Sequence, residues 1–304
     1  MKRDPNTQAD RRRFLGAAAI GASAAVSTQS VAEEATRRSL REVGRFSLGD
    51  ASARRIASGV DASIWLLIGD RAEQRTFDGH HLGSIELPRP GRALASNSES
   101  LFIAIRNQVQ QFSHSGELVR RLPRITGGLI GDIVVDGDRL VVTDLASGRL
   151  LRWTDDGWQR FGEPLRESSR ISRGAEGSLL VADPQRHQVK MLSIDGTALS
   201  TWGRRARTPD GFQGCCNPMA ITEVGVNELI TVEAGQLRVK EFTKHGSLVA
   251  EVAGPENFET LATTENEDRQ LACAAGGVDV ALTPQGEVLL LHTAAREVIR
   301  YARA

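Results

Sequence analysis

The chain has 304 residues, enough for one large domain or two small ones with a properly buried core. Lys and Arg total 38, as do Asp and Glu, so no bulk charge recruits nucleic acid or an anionic membrane surface. Aromatic residues make up only 5%, and the 30 glycines fall mostly at turn-like positions rather than in runs.

The first element is a targeting segment. "DRRRFLGAAAIGASAAVSTQSVA" has a charged start, a weakly apolar stretch from Leu15 to Val26 and small residues before a cut. The apolar stretch is too short for a transmembrane helix, and no integral membrane span is expected. Arg11, Arg12, Phe14 and Leu15, with Arg13 between the pairs, resemble the twin-arginine export signal, in which an Arg pair is followed after one residue by Phe-Leu. An ordinary secretory signal with a basic start is the alternative. Ser30-Val31-Ala32 suits cleavage after Ala32, so residues 1–32 read as signal, 33–41 as linker and 42–304 as the mature domain. The segment removes five basic and two acidic residues, leaving 33 against 36. The resemblance implies export of a folded protein to the periplasm or cell envelope, where disulfides persist.

The next element, "EVGRFSLGD" at Glu42–Asp50, has the length and alternation of one strand. Five similar segments then follow: "SIWLLIGDRAEQRTFDGHHLGSIEL", "SLFIAIRNQVQQFSHSGELVRRL", "RLVVTDLASGRLLRWTDDGWQRF", "SLLVADPQRHQVKMLSIDGTALSTW" and "ELITVEAGQLRVKEFTKHGSLVAEV". Each has an apolar strand, a polar turn and an alternating strand. A hairpin turn with Gly79, Gly116, Gly157, Gly196 or Gly246 follows, and a last strand ends the unit. A short apolar strand precedes each: "RRIASGV", "RALASN", "DIVVDG", "SRISRGAEG" and "PMAITEVG". Four strands every 35 to 55 residues, roughly, is the spacing of propeller blades. The sixth unit, "GVDVALTPQGEVLLLHTAAREVIRYARA", has only three. The strand at Glu42–Asp50 supplies the fourth and removes the open edge. The expected fold is therefore all-β, a six-bladed β-propeller of four-stranded antiparallel blades, the last closed by an N-terminal strand.

"GSLLVADPQRHQVKMLSIDGTALSTWG" followed by "GFQGCCNPMAI" resembles the NHL repeat, with Val-x-Asp ending one strand, Gln-Val opening the next and Asp-Gly at the turn. The likeness is sharpest over residues 176–248. It weakens at Arg106 and His292, where the pattern prefers the acid found at Asp144 and Asp183. "GCCNP" resembles an exported NHL-repeat branch with Glu-x-Gly-x-x-Arg-Val-Lys downstream and a later Cys before Gly-Gly-x-Asp. Here those are Glu233, Gly235, Arg238, Val239, Lys240, Cys273, Gly276, Gly277 and Asp279. The resemblance implies an NHL-like propeller and no particular activity.

Candidate chemistry centres on the three cysteines. Cys215 and Cys216 lead into the fifth blade, and Cys273 occupies the matching place before the sixth. Three chemistries fit: a disulfide between Cys273 and one of the pair, a thiolate metal site, or a redox switch. Thiolates select soft ions, so the metal reading names copper, zinc or an iron–sulfur cluster. Asn217, Glu233 and Asp279 are then the residues that orient the loops. The histidines read mainly as turn residues. Asp70, Asp144, Asp183 and Glu233 recur in the repeat, which points to carboxylates accepting turn N–H groups. The chain has no Gly-x-Ser-x-Gly elbow, phosphate loop or His-Glu-x-x-His.

The function expected is a monomeric, non-catalytic binding or scaffolding module. One propeller face, near the loops of blades five and six, takes a protein or small-molecule ligand. A thiolate metal-binding or redox accessory protein is the first alternative, and a metal-dependent hydrolase or lyase the second.

Overall fold

The computed structural model describes residues 40–165, 170–225, 227–258 and 277–303. The targeting segment, including Arg11, Arg12, Phe14 and Leu15, lies outside the described residues, as do Cys273 and Gly276. Strand β1 (Leu40–Ser47) is followed by five blades in chain order. Blade one is β2 (Arg55–Ser58), β3 (Ser63–Ile68), β4 (Arg71–Thr76) and β5 (His81–Glu86). Blade two is β6 (Ala93–Ser96), β7 (Ser100–Ile105), β8 (Gln108–Ser113) and β9 (Leu118–Arg121). Blade three is β10 (Ile130–Asp136), β11 (Arg139–Asp144), β12 (Arg149–Thr154) and β13 (Gly157–Phe161). Blade four is β14 (Arg170–Arg173), β15 (Leu179–Asp183), β16 (Gln188–Leu192) and β17 (Ala198–Trp202). Blade five is β18 (Ala220–Val224), β19 (Glu228–Glu233), β20 (Arg238–Thr243) and β21 (Leu248–Ala253). Blade six joins β22 (Val278–Leu282), β23 (Val288–His292) and β24 (Glu297–Arg303) to β1, in the order β1-β24-β23-β22.

The fold is thus the expected six-bladed propeller, with all six sheets four-stranded and antiparallel. The closing strand pairs along β24 from Leu40↔Arg303 to Ser47↔Glu297 and begins two residues before the expected boundary. Arg45 reinforces the closure, contacting Glu42 at 2.8 Å and Glu297 at 3.1 Å.

The apolar pattern along each strand reports its radial position. Every residue of β3 and of β7 is buried, because the second strand of a blade is sandwiched between two neighbours. Successive side chains then serve opposite cores. Ile64, Leu66 and Ile68 pack toward blade six, with Leu289 and Leu291, while Trp65 and Leu67 pack toward blade two, with Ile103 and Ile105. All four residues of the outer strand β9 are exposed. Six apolar clusters result, one at each blade-to-blade interface.

The turn glycines do two jobs. Gly79, Gly116, Gly196 and Gly246 all have positive φ, as their hairpins require. Each also sits against the outer strand before it in the ring. A Cβ on Gly79 would meet Phe46, one on Gly196 would meet Phe161, and one on Gly246 would lie 2.6 Å from Trp202. The glycine that recurs in sequence is therefore a packing contact between blades.

Candidate functional site

Two places collect polar side chains that the blade cores do not use: the lead-in loop of blade five and the central channel.

The blade-five loop is built around Asn217. Its Oδ1 accepts the Ala234 N–H at 2.8 Å, and its Nδ2 donates to the carbonyls of Gln213 and Ala234. The His187 ring, 8% exposed, meets the Asn217 carbonyl at 3.1 Å. Glu233 Oε2 accepts the Gln213 N–H at 2.8 Å, while its Oε1 ion-pairs with Lys240. Both charged side chains are essentially without solvent contact, and Lys240 Nζ also donates to the Gly211 carbonyl at 2.7 Å. The loop is thus tied at Gly211, Gln213 and Asn217, and between the last two stand the cysteines. Cys215 is exposed and Cys216 half-buried, with their sulfurs 3.1 Å apart. This arrangement displays two thiols on a rigid support.

Of the expected orienting residues, Asn217 and Glu233 bond this loop directly. Asp279 bonds elsewhere, in the channel described next. Among the described residues no group of three or more His, Cys, Asp or Glu is placed to hold a metal ion. Strand register also sorts the recurring acids. Asp144, Asp183 and Glu233 follow the equivalent residues Thr143, Ala182 and Val232, whereas blades one and two carry Ile68 and Ile105 there. Asp70 is not equivalent and lies exposed in a turn. Asp144 accepts the Leu129 N–H at 2.8 Å and Asp183 the Arg186 N–H at 3.2 Å, the structural task expected of them. His292 holds the same position in blade six and meets Glu297 at 3.5 Å.

The channel is lined by the first strand of every blade. Register places Arg55, Ala93, Asp132, Arg170, Ala220 and Asp279 at one level. Around the ring this gives cation, neutral, anion, cation, neutral, anion, a three-blade period that makes the layer two-fold pseudosymmetric. The first strand is a sheet edge, so some of its N–H groups have no strand partner. Asp132 accepts the Ile171 N–H and Asp279 the Ile56 N–H, each at 3.0 Å, and each thereby ties its blade to the next. The two bonds are related by the same pseudosymmetry.

The next level is wholly aliphatic: Ile56, Leu94, Ile133, Ile171, Ile221 and Val280. Beyond it the strand ends and the turns that follow supply Ser58, Ser96, Asn97, Thr222 and Glu223. The resulting cavity has a volume of about 800 Å³, and its lining runs from Asp132, Arg170 and Asp279 to turn residues such as Gly59 and Pro284. It is a cup with a charged floor, an apolar collar and a polar mouth.

Electrostatics at the floor are governed by burial. Burial pushes the Asp279 carboxyl up, against the opposing pull of Arg55 and Arg170. It also lowers Arg55 to about 10, helped by the like charge of Arg170. Arg92, which donates to the Ile130 carbonyl at 2.9 Å, is lowered by burial and by Arg54 and Arg170. At the mouth, burial raises Glu223, whose carboxylate accepts the Ala175 N–H.

No family model matches the chain, and no curated protein sequence matches it. Solved structures do. A streptogramin B lyase superposes with a TM-score of 0.56 at 13% identity, covering 88% of this chain and 98% of that one. Virginiamycin B lyase from Staphylococcus aureus, crystallised with quinupristin, gives 0.53 at 16% identity, covering 86% and 84%. The WD40 propeller domain of Doa1 gives 0.57 at 9% identity, covering 88% and 98%. At these identities the likeness concerns the propeller alone.

The floor charges leave a signal in the sequence that strand alternation by itself does not single out. "RI", "AL", "DI", "RI", "AI" and "DV" occupy matching positions in the six first strands. His187 is a turn residue as expected, between β15 and β16, but its ring is buried against the blade-five loop rather than exposed. No helix among the described residues is long and apolar enough to cross a membrane.

Proposed function

We propose that the mature chain is a non-catalytic binding module of the cell envelope, an NHL-like propeller delivered by twin-arginine export and acting as a monomer. The ligand is a small molecule held in the central cup. The observation that carries this reading is the cup itself. Its volume falls in the range typical of small-molecule sites, apolar walls meet a few fixed polar groups, and all six blades build it. The test is the native intact mass of protein purified from its own exported fraction, compared with the denatured mass. A small organic mass released on denaturation supports the reading. A bare chain that also binds nothing from a library of small amphipathic compounds sinks it.

A second reading rests on a different observation, the adjacent sulfurs 3.1 Å apart on an anchored loop. Cys215 and Cys216, with Cys273, would act as thiolate ligands for a soft ion such as copper or zinc, in an accessory redox or metal-handling role. Metal analysis separates the two readings. Copper or zinc retained by the native protein and lost in Cys216→Ser supports the second, and a metal-free protein with an organic ligand excludes it.

A further inference from the structure

Arg170 is a floor residue that faces the cup with its bonding incomplete. It lines the cup and is 9% exposed, yet its Nη1 has no hydrogen-bond partner among the described residues. The nearest acid, Asp279, stands 3.9 Å away, beyond hydrogen-bond reach, and its other oxygen is already taken by the Ile56 N–H. Leaving Nη1 of a guanidinium buried and unbonded is costly, because its donors have been taken from water without a replacement partner. Arg55 Nε also lacks a partner, but Arg55 donates to the carbonyls of Arg54 and Gly131 and does not line the cup.

The surrounding charge favours an anion as the missing partner. The floor holds two cations (Arg55 and Arg170) and two anions (Asp132 and Asp279), and Arg54 and Arg92 stand beside it, so the surroundings carry an excess of positive charge. A single negative charge serves Arg170, whereas a dianion would bring a second charge against Asp132 and Asp279. A planar carboxylate matches the guanidinium fork and accepts two bonds from it. Whatever carries that carboxylate must then occupy the aliphatic collar directly above the floor.

We propose that the cup binds a monocarboxylate with an apolar body, its head group on Arg170 and its body against the collar of Ile56, Leu94, Ile133, Ile171, Ile221 and Val280. This inference rests on the cup being the binding site and adds the chemical class of the ligand. Arg170 is the specificity residue: it distinguishes an acid from a neutral molecule of the same shape.

The probes are decanoate, decanamide and inorganic phosphate, titrated calorimetrically into the mature wild-type chain. Decanoate is expected to bind more tightly than decanamide by roughly 10- to 100-fold, the range for a charge-assisted pair in place of a neutral one. Phosphate, lacking an apolar body, is expected to bind weakly. In Arg170→Gln the preference for the acid disappears while decanamide affinity is retained. Ser172→Trp, two residues along the strand and so on the same face as Arg170, blocks both organic probes. Equal binding of acid and amide by the wild type overturns the role of Arg170 and leaves the cup as the site; this comparison needs no variant to fold. Phosphate binding as tight as decanoate overturns the apolar body. Binding of both organic probes that Ser172→Trp leaves unchanged removes the cup itself as the site.

Discussion

The buried pair under the cysteine loop gives the sharpest test of how this protein spends its stability. Glu233 and Lys240 have side chains 1% and 0% exposed, and each holds a second partner, the Gln213 N–H and the Gly211 carbonyl. In Lys240→Met the Glu233 carboxylate stays buried and loses its counter-charge, and the Gly211 carbonyl loses its donor. Breaking a buried pair from one side costs about 3–5 kcal/mol. For a domain of this size that is a fall in Tm of roughly 6–20 °C. The double variant Glu233→Gln/Lys240→Met removes both charges and keeps a carbonyl oxygen for Gln213. It is expected to be more stable than Lys240→Met alone, with a coupling of about 2–3 kcal/mol. Urea unfolding followed by tryptophan fluorescence reads this well, because Trp202 stacks on Phe212 and packs at a tilt against Phe242 beside the pair. Additive single and double effects, or a Lys240→Met loss below about 1 kcal/mol, would show that the pair does not carry the loop.

Three further outcomes are expected. Gly246→Ala pays for both a positive φ and a clash with Trp202, about 2–5 kcal/mol, whereas Gly235→Ala has the same φ with open space around it and costs about 1–2; equal urea midpoints for the two would refute the packing role. Glu297 is held below its ordinary value by the adjacent His292 ring and, against burial, by Arg45. A depressed carboxylate contributes stability that is present above about pH 4.5 and lost as pH falls through its folded value. The stability gap between wild type and Glu297→Gln is therefore expected to shrink between pH 6 and pH 3, and a constant gap in urea midpoints refutes it. Deleting residues 40–47 bares the β24 edge and removes buried Leu40 and Phe46. Light scattering is expected to show association through that edge, and a monodisperse monomer with an unchanged midpoint refutes the closing role.

The sequence made the propeller legible because its signals are local. A strand between two blades needs apolar residues on both faces, as in "SIWLLI", and an outer hairpin needs glycine at a positive φ, as at Gly246. Counting strands then left blade six one short and identified the strand that completes it. The blade-five loop was partly legible. "GCCNP" with Glu233 marked a unit, and Asn217 and Glu233 do hold it. The role of His187 was hidden, since it bonds a residue 30 positions further along the chain.

What the sequence alone determined was the blade: its strands, its turns and the number of its copies, all set by alternation over a few residues. Closure of the ring decided the rest. Ile56 and Asp279 are 223 residues apart, yet they share a hydrogen bond because the sixth blade returns to the first. No local preference couples an Asp in one repeat to an Arg two repeats away. Their burial in one low-dielectric channel couples them, so the charges of the floor acquire meaning only when all six inner strands face a common axis.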